Sequence, residues 1–80
     1  MQRVRIEFTV EPFVDAHPGA HVLAAWDVVE ATGHELVNGP FSSFVVVDSE
    51  GSEELVAELL RRSFAAGATR VAVQMERVES

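Results

Sequence analysis

The sequence predicts an α+β domain of the ferredoxin-like type, a βαββαβ sandwich with two helices on one face of a four-stranded antiparallel sheet in order 4-1-3-2. Three observations predict it: period-two alternation near both ends of the chain, two stretches of helical period between them, and a glycine closing each of those stretches. Each helix links strands as a split crossover does, which gives the strand order. Residues 1–80 read as one domain, without a linker, internal repeat or low-complexity stretch.

The first strand runs from Arg3 to Glu11. Val4, Ile6, Phe8 and Val10 point one way and Arg3, Arg5, Glu7, Thr9 and Glu11 the other, as in a half-buried strand. Pro12 cannot continue a central ladder, and Asp15-Ala16-His17-Pro18-Gly19 carries turn and helix-start signals, with Pro18 suited to a first helical position. The first helix then extends to about Thr32. Val22, Trp26 and Val29 share a face with Ala25 beside them, and Gly33 stands where a left-handed C-terminal cap is wanted.

His34 to Pro40 and Ser43 to Asp48 read as two strands joined through Asn38-Gly39-Pro40-Phe41. Phe44, Val45, Val46 and Val47 are apolar on both faces, as in a central strand or one whose outer face is covered. Ser52 is the expected N-cap of the second helix, with Glu53 and Glu54 suited to its positive end. Leu55, Val56, Leu59, Leu60 and Phe64 make its apolar stripe and Gly67 stops it. From Thr69 to Val78, Val71, Val73 and Met75 alternate with Ala72, Gln74 and Glu76 in a last strand.

Composition narrows the function. Six basic against thirteen acidic side chains give a formal charge of −7, which repels phosphate backbones and anionic lipid, so neither nucleic acid nor membrane is an expected partner. Without cysteine there is no disulfide framework, thiolate metal site or cysteine nucleophile. The N-terminus enters a strand pattern without the apolar core of a signal peptide, so the expected location is cytoplasmic. At 48% hydrophobic residues, an 80-residue chain holds more apolar material than its thin core needs, which predicts a homo-oligomer, dimer or tetramer.

Several functions common on this fold lack their residues. A metal carrier needs a Cys-x-x-Cys pair, an RNA-binding sheet needs exposed aromatics in a basic surface, and a phosphate-holding first loop needs an arginine; Pro12 to His17 has none. His17 and His21 are four apart with Asp15 nearby, a spacing that can hold a metal, but His17 falls before the regular helix and solvated or capping histidines are the stronger reading. Glu7, Thr9 and Glu11 can form an acidic, hydrogen-bonding wall for a cationic or amine-bearing ligand, which Gln74 and Glu76 can extend; a solvated face, or one buried against a second subunit with its charges paired to Arg3 and Arg5, is favoured. Trp26 and Phe13 can each stack on a flat ligand ring; Trp26 is read as core, whereas Phe13, in a loop, is less easily dismissed. No nucleophile–base pair or phosphate-cradling loop stands out, so no enzymatic activity is expected.

Glu7-Phe8-Thr9-Val10-Glu11-Pro12-Phe13, His17-Pro18-Gly19-Ala20-His21-Val22, Gly39-Pro40-Phe41 and Gly67-Ala68-Thr69-Arg70-Val71 together resemble the small YkoF-like thiamine-binding proteins. The resemblance covers nearly the whole chain and implies a non-catalytic, oligomeric protein that binds thiamine or its hydroxymethylpyrimidine moiety, with no other cofactor. It implies Thr9, Glu11, Pro12, Phe13, His17, Gly39, Phe41 and Ser43, with Pro40 in the same turn, as ligand-binding residues. Thiamine gives such groups work: the aminopyrimidine needs a donor and an acceptor, and the thiazolium favours carboxylate and aromatic neighbours. The chain departs from many relatives where a Gly-Thr pair and a following acidic residue are replaced by Ser42, Ser43 and Val46. The other reading is an assembly module without a retained ligand site, for which the double-sided apolar strand Phe44 to Val47 speaks.

Overall fold

The computed structural model describes residues 2–13, 18–39 and 42–78. Six elements follow in the expected order: β1 (Arg3–Glu11), α1 (Ala20–Glu30), β2 (Val37–Asn38), β3 (Ser43–Asp48), α2 (Ser52–Ala65) and β4 (Arg70–Val78). The sheet is antiparallel with order β2-β3-β1-β4, the predicted order read from its other edge. β1 pairs with β4 along its entire length, from Arg3 opposite Val78 to Glu11 opposite Arg70. With β3 it pairs only from Arg3 opposite Asp48 to Phe8 opposite Ser43.

The alternation of β1 does what period two requires. Ile6, Phe8 and Val10 are buried with Val45 and Val47 of β3, Ala25, Val28 and Val29 of α1, and Leu59 of α2. Val4, Val22, Leu36, Leu55, Val56, Val71 and Val73 pack around that cluster. The opposite sheet face carries Arg5 and Glu7 between Phe44 and Val46 on one side and Gln74 and Glu76 on the other. No helix among the described residues is long and apolar enough to cross a membrane.

Three local expectations are corrected. β2 is two residues long, not the seven from His34 to Pro40. Its first half is diverted into a local turn: the Thr32 hydroxyl donates to the Val29 carbonyl at 2.6 Å and accepts from the His34 main-chain N–H at 3.3 Å, with the His34 ring 3.0 Å away. Such short-range side-chain bonds compete with a ladder. α1 begins at Ala20 and ends at Glu30, inside the predicted limits of Pro18 and Thr32, with Gly33 beyond it at φ 82°. In α2 the N-cap is Gly51, at φ 85°, and Ser52 is the first helical residue. The Ser52 hydroxyl donates back to the Ser49 carbonyl at 2.7 Å, closing the preceding turn instead of accepting from the helix. Glu53 and Glu54 occupy the first turn as expected, and Gly67 follows the helix at φ 110°.

Candidate functional site

The unequal lengths of β1 and β3 open a cleft. Two hydrogen bonds show how β1 is turned: the Ser49 N–H donates to the Gln2 carbonyl at 3.0 Å on the β3 side, and the Thr69 N–H to the Glu11 carbonyl at 2.8 Å on the β4 side. Because main-chain groups alternate in direction along a strand, even-numbered β1 residues face β3 and odd-numbered ones face β4. Val10 therefore turns its N–H and C=O toward β3 at a level that β3, starting opposite Phe8, does not reach. Among the described residues neither group has a ladder partner.

That gap is a cavity of about 90 Å³, open on one side and lined by Phe8, Thr9 and Val10 of β1, Phe13 of the following loop, Val22 and Trp26 of α1, and Gly39, Ser42 and Ser43 of the β2–β3 turn. Its polar groups are held in place. The Trp26 indole N–H donates to the Ser43 hydroxyl at 3.1 Å, which donates to the Asn38 side-chain oxygen at 2.7 Å. A hydroxyl has one proton and two lone pairs, so Ser43 keeps one acceptor position. The Ser42 hydroxyl donates to Glu7 at 2.9 Å. The Gly39 N–H donates to the Ser42 carbonyl at 2.7 Å, and a Cβ on Gly39 would stand 3.1 Å from that oxygen, a tight contact that a side chain could make only if the turn shifted slightly.

The loop wall is tied to α1 by His21, which is 7% exposed and whose Nε2–H donates to the Pro12 carbonyl at 2.6 Å. This bond assigns the proton to Nε2 and anchors the chain just before Phe13, across the cis Glu11–Pro12 peptide. Phe13 is 57% exposed at the mouth.

Of the residues implied as ligand-binding, Thr9, Phe13, Gly39 and Ser43 line this one cleft; Pro12 does not line it, and its carbonyl is engaged by His21. Glu11 does not line it: its carboxylate turns to the β4 edge and pairs with Arg70 at 3.0 Å. His17 and Phe41, together with Asp15 and Pro40, lie outside the described residues. Among the described residues no three His, Asp or Glu side chains are grouped so as to hold a metal.

Trp26, read as core, is half-buried and forms part of the cleft wall while also packing on the core. The sequence reading missed Ser42, Val22 and the anchoring role of His21. One signal was present for His21: it is four residues before Ala25 and seven before Val28, on the buried stripe of α1, where a polar ring needs a partner.

The acidic strand face is broken by a cation. Arg5 stands opposite Val46 and Glu76, contacts Glu7 at 3.3 Å and Glu76 at 3.8 Å, and lies over the Phe44 ring at 4.1 Å. Glu7 faces Gln74 across the β1–β4 ladder, as the alternation predicts. Val46, the departure from the family pattern, is on this open face and not in the cleft.

No family model matches the sequence, and no curated protein matches it. Solved structures do. A domain of unknown function, DUF77, from Bacillus cereus superposes with a TM-score of 0.68 at 20% identity, covering 99% of this chain and 77% of the other. A protein provisionally assigned to thiamine biosynthesis or salvage in Thermotoga maritima gives 0.68 at 22% identity, covering 98% and 84%. A Streptococcus pneumoniae protein gives 0.71 at 16% identity, covering 100% and 88%. At these identities the likeness is one of fold.

Proposed function

We propose that this chain is a non-catalytic, cytoplasmic, homo-oligomeric protein that binds thiamine or its hydroxymethylpyrimidine moiety in the cleft at the end of β1. The observation that carries this reading is the cleft's combination of an indole wall, Trp26, with the main-chain donor and acceptor of Val10. A flat ring bearing an amine beside a ring nitrogen can stack on the first and pair with the second as a strand would. Thr9, Ser42 and Ser43 add hydroxyls at the rim.

Size sets the part of the ligand that enters. An engineered cavity of ~150 Å³ takes a benzene ring, so about 90 Å³ seats the edge of one six-membered ring and leaves the rest of the molecule in the mouth, beside Phe13. On this reading the pyrimidine carries recognition and the thiazolium contributes little. The Glu11 carboxylate, engaged with Arg70, has no part in it.

The chain has one tryptophan, so its fluorescence reports on the cleft wall directly. Titration with thiamine and with hydroxymethylpyrimidine should give saturable quenching, matching calorimetric heat and a rise in Tm, with comparable affinities for the two. Silence in all three measurements at millimolar ligand sinks the proposal.

The assembly-module reading is supported by one observation, the apolar pair Phe44 and Val46 on the uncovered sheet face beside Arg5. It is favoured if light scattering finds an oligomer while neither compound moves the tryptophan signal.

A further inference from the structure

The last strand is a nine-residue sheet edge. Because odd-numbered residues of β1 face β4, their partners Arg70, Ala72, Gln74, Glu76 and Val78 spend their main-chain groups on β1. Val71, Val73 and Met75 then present theirs outward. Natural edges are guarded by lysines, prolines, bulges or inward charges. This one has no proline and the chain no lysine, and its regular register from Arg70 to Val78 leaves no bulge; its single inward-side charge is Arg77, opposite Val4 near the strand's end and outside the Arg70–Glu76 span.

We propose that β4 pairs antiparallel with β4 of a second copy of this chain, about a two-fold axis at Val73, joining two sheets edge to edge. The side chains select that register. It places Arg70 opposite Glu76 of the second copy, and Glu76 opposite its Arg70, on the open face of the joined sheet. Ala72 meets Gln74 on that same face. On the helix side Val71 meets Met75 and Val73 meets Val73, which covers a methionine that is 43% exposed in the single chain.

Main-chain direction agrees, since the outward-facing residues Val71, Val73 and Met75 are the ones that meet. Moving the axis one residue toward Gln74 sets Val71 against Arg77, and moving it toward Ala72 sets Arg70 against Gln74; each loses both ion pairs. Arg70 and Glu76 are available: their side chains are 71% and 67% exposed. Each already has one partner in its own chain, Glu11 at 3.0 Å and Arg5 at 3.8 Å. Pairing would extend these into a row of alternating charge, from Glu11 through Arg70 to Glu76 and Arg5 of the second copy. A two-fold contact makes every such pair twice.

The proposal gives the self-association in the functional reading a definite surface and does not depend on the ligand. Its test is sedimentation equilibrium on the intact chain. Wild type should dimerise; Arg70→Glu and Glu76→Arg should each raise the dimer Kd by about tenfold or more, because two attractive pairs become two repulsive ones. The double variant, with the charges exchanged, should recover the dimer. Amide exchange provides a second readout: the N–H groups of Val71, Val73 and Met75 should be protected at high concentration and lose protection on dilution. A monomeric wild type, a double variant no better than the singles, or fast exchange at those amides in an oligomer overturns the proposal. The last result would mean packing through the open face or capture of a different chain. Failure here would leave the Trp26 titration intact, so the two readings fall separately.

Discussion

The two crossovers of this fold share an outline and differ in finish. The second, β3–α2–β4, turns through Ser49, Glu50 and Gly51, starts its helix with Glu53 and Glu54 against the positive end, and delivers a nine-residue strand. Neither N-cap residue, Gly19 or Gly51, makes a side-chain cap, but the first crossover, β1–α1–β2, has no acidic residue in the first turn of α1 and delivers a two-residue strand. The cleft lies mainly along the first, between its long strand, its loop and its helix, and is closed by Gly39, Ser42 and Ser43 where the chain passes from β2 into β3. The segment with the weaker local signals is the one that holds the space and the main chain of Val10, which has no ladder partner among the described residues. Structural completeness and an available site are separated along the chain.

Core truncation tests this difference most strongly. Leu59 of α2 is 1% exposed and packs against the sheet, so Leu59→Ala should destabilise by about 2–5 kcal/mol in urea denaturation. Val22 of α1 is half-buried on the cleft wall, and Val22→Ala should cost only about 1 kcal/mol, since part of its surface is already wet. Equal losses would mean that the cleft is as tightly packed as the core, and the distinction between the crossovers would go.

Next in size is the backbone at the two helix starts. Gly51 holds φ 85°, and a Cβ there meets nothing within 4 Å, so Gly51→Ala isolates the conformational penalty. It should lower stability by about 1–2 kcal/mol. An unchanged denaturation midpoint would show that the turn before α2 relaxes without loss, and that its tightness is not a source of stability.

How far the sequence foretold the structure follows the same division. The alternation of β1, the stripe of α2 and the period of β4 each rest on several residues that agree, and strand order follows from them. The failures lie where one polar side chain decides. Nothing in the spacing of His34 to Asn38 shows that Thr32 draws His34 into a turn, and nothing in Ser52 shows that its hydroxyl bonds backward to Ser49. The site was half legible. Thr9, Phe13, Gly39 and Ser43 meet at the cleft, but Glu11 is turned away because the register sets it opposite Arg70 of β4, with which its carboxylate pairs at 3.0 Å, a fact of register rather than composition. Trp26, read as core, does pack on the core but also walls the cleft, because an apolar stripe does not show where the core stops and the cleft begins.

The smallest effect is the most direct test of the difference in finish. Gly19 has φ −77° and ψ 171°, the extended conformation an N-cap adopts, so any L-residue fits its backbone. Its carbonyl already accepts from the N–H groups of Val22 and Leu23, at 3.1 and 3.0 Å, but among the described residues no side chain caps the helix. Gly19→Asp supplies that oxygen. The expected gain is a few tenths of a kcal/mol from capping, plus about 0.3–1 kcal/mol from a negative charge at the positive helix end. The chain's charge of −7 works against the second part, so added salt should decide the balance. Screening weakens both the attraction to the helix end and the general repulsion, whereas the cap's hydrogen bond persists. A midpoint raised at low salt and still raised at high salt identifies a missing cap. If the variant gains nothing under either condition, the first turn of α1 is already satisfied by other groups, and its bare sequence is not a deficiency.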